Sequence, residues 1–289
     1  MFVDATFGAG GHTAALLDAV PGSKVIALDA DPASVGRAES MARRYAGRLT
    51  AAHGNFGDVA TLLDDAGVRE IDGILYDLGI SSLQLAAERR GFSFERNEPL
   101  DMRLNPKTGG PSAADLLQTL NVAQLEAILR DFGNERHARA IARAIVRRRA
   151  RVQTWMTQDL LAAVWSALPK SRPAHQRIHP ATRTFQALRM AVNGDLDNLR
   201  RSLHAAAGRL KPHGRIVAIS FHSGEDRVVK QEFRALERTG LMDTLTRKPL
   251  RPSAAEVRSN ARSRSAKLRA SERLEHPVTL QGGTLSSWR

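Results

Sequence analysis

The sequence predicts an α/β protein whose mostly parallel sheet is interrupted by an inserted all-helical domain. Over about the first 80 residues, short apolar runs alternate with segments whose apolar residues recur at helical spacing. This alternation is typical of a parallel sheet built by right-handed crossovers. From about residue 112 to 187 the strand pattern disappears and only helical patterns follow. An apolar run at 215–221 restores the earlier rhythm, so the helical segment interrupts one sheet domain.

The predicted strands are apolar runs that end at polar or glycine-rich turns. They cover residues 2–5, 24–29, 49–53, 71–76 and 215–221. Helical spacing between the first four predicts helices at 13–20, 32–46 and 56–66, and a further helix at 195–210 precedes the turn at 211–214. Because ligands of parallel sheets bind beyond the carboxyl ends of the strands, the residues that follow each run are the candidates for a site.

Helix-start signals mark the inserted segment. Ser112-x-x-Asp115 and Asn121-x-x-Gln124 have the spacing of capping boxes, and Gly133 is expected to break the second helix. Further helices are predicted at 135–149 and at 157–168.

These patterns give a domain assignment. Residues 1–111 and 188–273 form a discontinuous sheet domain, and residues 112–187 form an inserted helical domain for substrate recognition. From residue 246 onward the chain is basic and poor in apolar residues, and we expect residues 274–289 to be a disordered tail.

Composition narrows the class of partner. The 289 residues include 43 Lys and Arg against 30 Asp and Glu, a formal net charge of +13, which favours a polyanion such as nucleic acid. The chain has no cysteine, which excludes disulfides, thiolate metal sites and cysteine nucleophiles, and we predict no metal. No apolar run approaches the ~18 residues that span a bilayer, so we expect a cytoplasmic protein without membrane contact. The oligomeric state stays open, a dimer included.

The first strand breaks into the glycines Gly8, Gly10 and Gly11. Glycine permits a positive φ and lets a ligand approach the backbone closely. Asp29 ends the next strand, where a carboxylate can hold a ribose diol. Thr13 occupies the third glycine position of the dinucleotide fingerprint, and no basic residue near the turn is placed to meet a pyrophosphate. The pattern therefore favours a nucleoside without phosphates, S-adenosylmethionine above all, over NAD.

Two further residues follow strand ends or the glycine turn, and each allows two interpretations. His12 begins the helix after the glycines, where it either contacts a ligand carboxylate or caps the helix. Phe56 follows the third strand, where it either covers an adenine face or packs into the core.

Asp77 ends the fourth strand and is the candidate catalytic residue. The lone pair of an exocyclic amine such as cytosine N4 is delocalised into the ring, so the amine is a poor nucleophile. A hydrogen-bond acceptor on the amine hydrogens offsets the positive charge that develops on methyl transfer. The structural alternative is that Asp77 caps a turn.

The fifth strand ends in Ser220-Phe221-His222-Ser223, which places polar groups at the same edge. A Ser/His/Asp hydrolase is disfavoured because the G-x-S-x-G elbow is missing. A contact between His222 and the substrate fits better.

Arginines dominate one predicted helix of the insertion. Arg139, Arg143 and Arg147 are spaced four residues apart and share one face, which is either a solvated surface or a phosphate-binding one. The segment 247–273 carries nine more basic residues against two glutamates and could provide a second footprint.

Seven segments in order resemble the bacterial small-subunit ribosomal RNA methyltransferase H family, the 16S rRNA cytosine-N4 methyltransferases. The matching segments are Val3-Asp4-Ala5-Thr6-Phe7-Gly8-Ala9-Gly10-Gly11-His12, Leu28-Asp29-Ala30-Asp31-Pro32, Tyr76-Asp77-Leu78-Gly79-Ile80-Ser81-Ser82-Leu83-Gln84-Leu85, Arg90-Gly91-Phe92-Ser93-Phe94, Leu100-Asp101-Met102-Arg103, Ile178-His179-Pro180-Ala181-Thr182-Arg183-Thr184-Phe185-Gln186-Ala187-Leu188-Arg189 and Ser220-Phe221-His222-Ser223.

This resemblance implies a Rossmann-like class I S-adenosylmethionine-dependent methyltransferase sheet domain with an inserted helical domain. It implies methyl transfer to a cytosine N4 in the decoding region of 16S ribosomal RNA. It also implies a set of cofactor-binding residues, of which Gln84 rests on the family alone: Gly10, Gly11, His12, Asp29, Phe56, Asp77 and Gln84.

The chain departs from the family in two places. Family members begin with a segment that contains His-x-Pro-Val, whereas this sequence starts at the first strand, so we expect it to lack that segment. Gly224 stands where the family usually has leucine, which predicts a looser turn beside the site.

Two alternative functions stay open at this point. The first is an RNA-binding or ribosome-assembly factor with impaired catalysis. The second is a DNA amino-methyltransferase, although Asp77-Leu78-Gly79-Ile80 replaces the usual Asp/Asn-Pro-Pro-aromatic sequence of that class.

Overall fold

The computed structural model describes residues 1–169 and 179–275. The chain divides into two units, of which the first contains residues 1–79 and the chain from Asp197 onward, and the second contains Ile80–Leu196. The predicted tail residues 276–289, and Ile178 of the family resemblance, lie outside the described residues. No helix of the described ranges is long and apolar enough to cross a membrane.

Seven strands form one sheet in the first unit. They are β1 (Phe2–Asp4), β2 (Val25–Asp29), β3 (Leu49–His53), β4 (Ile71–Asp77), β5 (Leu210–Ser220), β6 (Met242–Asp243) and β7 (Lys267–Arg273). The helices of the described residues are α1 (Gly11–Ala19), α2 (Pro32–Ala42), α3 (Val59–Asp65), α4 (Ser82–Ala86), α5 (Ala113–Thr119), α6 (Val122–Asp131), α7 (Ala138–Arg149), α8 (Thr157–Ala167), α9 (Thr182–Asn193), α10 (Asp195–Arg209), α11 (Ser223–Arg238) and α12 (Ala254–Ser259).

The sheet has the order β3-β2-β1-β4-β5-β7-β6. The first five strands of this order are parallel, β7 is antiparallel to β5, and β6 is antiparallel to β7. All five residues of β2 are buried, as expected for a strand covered on both faces. The α/β fold class and the five predicted strands are confirmed.

Two features at the β5 edge of the sheet differ from the sequence prediction. The predicted turn at 211–214 lies within β5, where the register shifts so that Ile71 pairs with Leu210 but Gly73 pairs with Arg215. The strand β7 was not predicted, because its sequence Lys-Leu-Arg-Ala-Ser-Glu-Arg is strongly charged. Its charges are paired in the fold, since Lys267 and Arg269 both bind Asp226 of α11.

The second unit is helical and has its own core. Leu117 of α5, Leu125 of α6, Ile141 of α7 and Leu160 of α8 are fully buried in it. The predicted capping boxes at Ser112 and Asn121 are both present.

This unit extends beyond the predicted segment 112–187 on both sides. Phe92, Leu100 and Met102 are buried in the same helical core, although their segment contains only short helical turns. Hydrogen bonds fix the segment as well, since Asn193 of α9 accepts from the Leu104 amide and donates to the Met102 carbonyl. Non-local contacts of this kind leave no periodic pattern in a loop sequence, so the sequence could not indicate them.

Candidate active site

The glycine bend joins β1 to α1 at the carboxyl edge of the sheet. Gly8 and Gly10 have φ values of 56° and 83°, in the left-handed region that favours glycine. A Cβ on Gly10 would lie 2.6 Å from Phe7 Cζ, whereas a Cβ on Gly11 would meet no atom within 4 Å. Gly10 is therefore required by conformation and packing, and Gly11 leaves open space beside the bend.

The helix that follows the bend begins without a side-chain cap. Its N-cap position is Gly10, which has no side-chain acceptor, and its first turn contains no acidic residue. The first amides of a helix lack intrahelical acceptors and carry partial positive charge. The start of α1 therefore suits a carboxylate ligand. This agrees with the interpretation of His12 as a residue that contacts a ligand carboxylate.

Asp29 ends β2 and closes the bend from the next strand. Its Oδ2 accepts a hydrogen bond from the Gly8 amide at 2.8 Å, and its Oδ1 accepts one from the Asp31 amide at 2.9 Å. Burial raises the pKa of this carboxyl, and only 8% of the residue is exposed. A carboxylate has about four lone-pair positions, so capacity for a ribose hydroxyl remains after these two bonds.

Sequence reasoning missed Asp4, which is buried below the bend. Thr13 Oγ1 donates to Asp4 Oδ2 at 2.7 Å, and the Thr6 amide donates to Asp4 Oδ1 at 3.2 Å. Burial raises the pKa of the Asp4 carboxyl. An aspartate inside an apolar strand just before the glycines was the signal available, because a buried carboxylate requires hydrogen-bond donors nearby.

Two more side chains hold the bend and were also missed. Thr6 Oγ1 accepts from the Asp77 amide at 2.6 Å, which ties the end of β4 to the bend. Arg37 of α2 donates from Nε to the Gly8 carbonyl at 3.2 Å and from Nη2 to Ser34 Oγ at 2.9 Å. The bend is therefore fixed by bonds from β2, α2 and β4.

Asp77 lies against His12, and its two carboxylate oxygens have different surroundings. His12 Nε2 is 3.4 Å from Asp77 Oδ2, and this hydrogen bond raises the pKa of the imidazole. Asp77 Oδ1 is buried and has no hydrogen-bond partner among the described residues. A buried carboxylate oxygen without a donor is costly, so this atom can accept a hydrogen bond from an N–H or O–H group of a ligand.

Phe56 follows β3 and contacts the core through one edge. Its ring is perpendicular to the ring of Tyr76, with the centroids 6.0 Å apart, and Tyr76 is fully buried. Phe56 itself remains partly exposed. The core contact therefore leaves room for the predicted contact with an adenine, which stays a prediction.

His222 caps α11. Its Nδ1 accepts from the Gly224 amide at 3.1 Å, and Glu225 Oε2 accepts from the amides of Phe221 and His222. These bonds hold the turn in one arrangement, and the looser turn expected from Gly224 stays a prediction. A Cβ on Gly224 would lie 2.9 Å from His222 Nδ1, so glycine suits this cap.

Gln84 lies in the second unit, where it has a structural role that the sequence prediction did not include. Its Oε1 accepts from the Ser81 amide at 2.9 Å, and its own amide donates to Ser81 Oγ, which completes a capping box for α4. Gln84 is buried. Its contact with a cofactor remains a prediction.

The arginines of α7, also in the second unit, separate into two groups. Arg148 binds Asp159 at 2.8 Å, and Arg149 donates to the carbonyls of Leu117 and Leu120. Arg139, Arg143 and Arg147 are exposed, and the nearest acidic partner is Glu126, 4.0 Å from Arg139. The first group stabilises the unit, whereas the second is available to a partner.

Known proteins match this sequence over nearly its whole length. Ribosomal RNA small subunit methyltransferase H of Thermomicrobium roseum is 48% identical over 95% of this chain and 88% of its own length. The protein of the same name from Methylobacterium nodulans is 45% identical over 96% of this chain and 85% of its own length. The profile of the MraW methylase family matches residues 1–274. The chain therefore belongs to the MraW methylase family.

Proposed function

We propose that this chain transfers the methyl group of S-adenosylmethionine to the exocyclic N4 of a cytosine in the decoding region of 16S ribosomal RNA. The family assignment supports methyl transfer, and the printed name of the curated relatives supports ribosomal RNA of the small subunit as the substrate. The single observation that favours an amine as the acceptor is Asp77 Oδ1, a buried oxygen without a donor. A substrate of this kind implies a cytoplasmic enzyme.

The residues of the bend fit the proposed cofactor. Gly10, Gly11 and His12 would hold its carboxylate at the start of α1, and Asp29 would hold its ribose. Phe56 would cover the adenine, and Gln84 is included on the family resemblance. When bound, S-adenosylmethionine supplies an electrophilic methyl group on a sulfonium, which is a good leaving group.

Asp77 would act at the end of β4 by binding the amine. An acceptor on an N4 hydrogen weakens the conjugation of nitrogen with the ring and makes its lone pair more available. On accepting the methyl group the amine nitrogen would gain positive charge, and it would lose this charge by releasing a proton to solvent. A fixed carboxylate stabilises that charge, and removal of one such preorganised group from an active site costs on the order of 100-fold to 1000-fold in rate.

RNA contacts would come from exposed cations and from the rim of the sheet. Arg139, Arg143 and Arg147 form a stripe on α7 that suits three phosphates of an RNA backbone. We include His222 as a substrate contact, because it follows β5 beside the strand that ends at Asp77.

The proposal is tested with methyl-labelled S-adenosylmethionine and small ribosomal subunits that lack the modification. We expect label in one cytosine of the 16S ribosomal RNA, identified as N4-methylcytidine after digestion to nucleosides. Asp77→Ala should lower kcat about 100-fold or more, whereas the same change at Asp65, an exposed residue at the end of α3, should leave kcat unchanged.

Other outcomes identify the alternatives. Label at a ring carbon of the base would contradict the role of Asp77 as an amine acceptor. Binding of RNA without any heat of S-adenosylmethionine binding in calorimetry would indicate an assembly factor, and preferential labelling of DNA would indicate a DNA amino-methyltransferase.

A further inference from the structure

The first unit carries a second cationic surface, formed by residues 247–266, which we call the C-terminal basic lobe. We propose that this lobe binds the phosphate backbone of the RNA strand beside the target nucleotide. The inference rests on the proposed function, because it requires an RNA substrate. Its support comes from the register of the sheet, the bonds that fix the lobe, and the charges that it leaves without partners.

The register places the lobe at the same edge of the sheet as Asp77. Lys267, the first residue of β7, pairs with Ser220, the last residue of β5. Asp77, the last residue of β4, pairs with Ile219. On the other side of the lobe, Leu250 bridges to Leu268. The chain therefore leaves and re-enters the sheet at the carboxyl edge, where only β5 separates β7 from the end of β4 that carries the catalytic candidate.

Hydrogen bonds and ion pairs fix the lobe on the sheet. The chain that enters it is held by the Thr246 amide, which donates to the Ala270 carbonyl at 3.3 Å. At its exit, Asp226 of α11 binds Lys267 at 3.1 Å and Arg269 at 2.7 Å. Arg269 is almost fully buried. The ends of the lobe are therefore anchored to β7 and α11.

Caps order the interior of the lobe. Ser253 accepts from the Glu256 amide and begins α12, and Asn260 accepts from the Arg262 amide and begins the turn that follows. Ser263 is buried and donates to the Asn260 carbonyl at 2.8 Å. The backbone of the lobe therefore has a defined conformation, from which its cationic side chains project into solvent.

The cations of the lobe have no internal role in the described part of the chain. Six basic side chains are exposed, and none of them forms an ion pair or side-chain hydrogen bond there: Arg247, Lys248, Arg251, Arg258, Arg262 and Arg264. Glu256 is the only acidic residue between 247 and 266. The neighbouring Lys267 and Arg269 behave differently, since both are bound to Asp226.

This pattern suits an extended polyanion. Six like charges on about twenty residues repel each other, and a chain of phosphates relieves the repulsion over the whole surface. Five of the six are arginines, whose planar guanidinium can donate two parallel hydrogen bonds to one phosphate. A target cytosine at Asp77 would bring its own strand to this edge, because the base and its flanking phosphates are covalently joined.

The test compares two triple variants in binding to 16S ribosomal RNA transcribed in vitro. The lobe variant replaces Arg258, Arg262 and Arg264 with glutamine. The control replaces Arg43, Arg69 and Arg238 with glutamine. These three arginines are exposed, and each lies where a helix leads into the amino end of the next strand, at the opposite edge of the sheet. Both variants lose the same charge, so a difference between them reports position rather than net charge.

Loss of three phosphate contacts should make the negative slope of log affinity against log salt less steep by about 2, the value for single-stranded RNA. A fourfold rise in salt should then weaken the wild type roughly 20-fold more than the lobe variant. Binding of S-adenosylmethionine, followed by calorimetry, should be the same in both variants and the wild type. In methylation assays, the lobe variant should show a raised KM for RNA and an unchanged kcat.

Equal salt slopes in the lobe variant and the control would overturn the proposal. An unchanged slope on free RNA, combined with poorer methylation of subunits that contain their proteins, would assign the lobe to a protein partner and would also overturn it. A wild type that binds RNA but transfers no methyl would instead overturn the proposed function, so the two failures are distinguishable.

Discussion

Asp77 illustrates how one side chain acquires two environments. One carboxylate oxygen binds His12, and the other is buried without a donor in the described chain. The backbone amide of the same residue donates to Thr6 Oγ1, which holds the end of β4, and hence the start of this side chain, against the bend. A fixed acceptor of this kind is useful in catalysis because it needs no reorganisation when charge develops.

Replacement of Asp77 should alter the titration of His12. The hydrogen bond that His12 donates to Asp77 is the largest cause of the raised pKa of His12, so Asp77→Asn should lower this pKa toward the ordinary value. The His12–Asp77 pair should contribute its full stabilisation at pH values below the pKa that His12 has in the unfolded chain. This contribution should be lost as the pH rises through the higher pKa that His12 has in the folded protein. An NMR titration that follows the ring protons of His12 checks the change. A spectrum of the variant His53→Gln identifies the signal of a second exposed histidine, so that the two are not confused. An unchanged His12 pKa in Asp77→Asn would contradict the pairing.

Replacement of Asp29 should weaken cofactor binding. Asp29→Ala removes the proposed charge-assisted bond to the ribose and also the acceptor for the Gly8 amide. We expect the Kd for S-adenosylmethionine to rise about 10-fold to 100-fold, because a hydrogen bond to a charged group contributes roughly 1.5–3 kcal/mol. Calorimetry measures this Kd. The variant Asp31→Ala provides a comparison, because the side chain of Asp31 caps α2 instead. A Kd equal to that of the wild type would remove Asp29 from the site.

At the level of elements, the fold is specified by caps and by close approaches of the backbone. The second unit contains capping boxes at the starts of α4, α5 and α6, which satisfy amide groups that the helices leave open. Gly133 lies just after α6, where a Cβ would come within 2.7 Å of the Arg183 carbonyl oxygen and 2.8 Å of the Leu129 carbonyl oxygen. Both neighbours are backbone atoms, so neither can move aside at low cost.

A pair of glycine substitutions tests this account of the elements. Gly133→Ala should destabilise the protein by about 1–3 kcal/mol, because the methyl group overpacks the contact with α9. Gly208→Ala should stabilise it by roughly 0.5–1 kcal/mol, because the same change in α10 meets no atom within 4 Å and improves helix propensity. Thermal unfolding of both variants measures the difference. Equal transition temperatures would show that the crowding at Gly133 is relieved by movement of α9.

At the scale of the whole molecule, the two ligands of the proposed reaction differ in how strongly the net charge of the protein acts on them. The net charge of +13 acts on a long polyanion at a distance, whereas the proposed cofactor site includes a buried carboxyl group, that of Asp29. Screening by salt therefore affects the two binding events differently, since buried interactions are screened much less than exposed ones.

Raising salt from 50 to 200 mM should weaken binding of 16S ribosomal RNA by roughly 300-fold or more if six or more phosphates are neutralised. Over the same range, the Kd for S-adenosylmethionine should change less than about twofold, because this ligand carries no phosphates and Asp29 at its proposed site is buried. Fluorescence anisotropy and calorimetry give the two sets of values. RNA affinity that is insensitive to salt would contradict phosphate binding by the exposed arginines.

Sequence and tertiary structure contributed different parts of this description. The sequence by itself determined the parallel strands, the helices α5 to α8, the glycine bend and the strand ends at Asp29 and Asp77, because each depends on local periodicity or on a residue type with few allowed conformations. Tertiary structure alone decided the placement of β7, the extent of the second unit and the network of Asp4, Thr6 and Arg37. The physical reason is that a charged strand, a loop packed in a core and a buried carboxylate are stabilised by partners far away in the chain, and these partners are known only once the chain is folded.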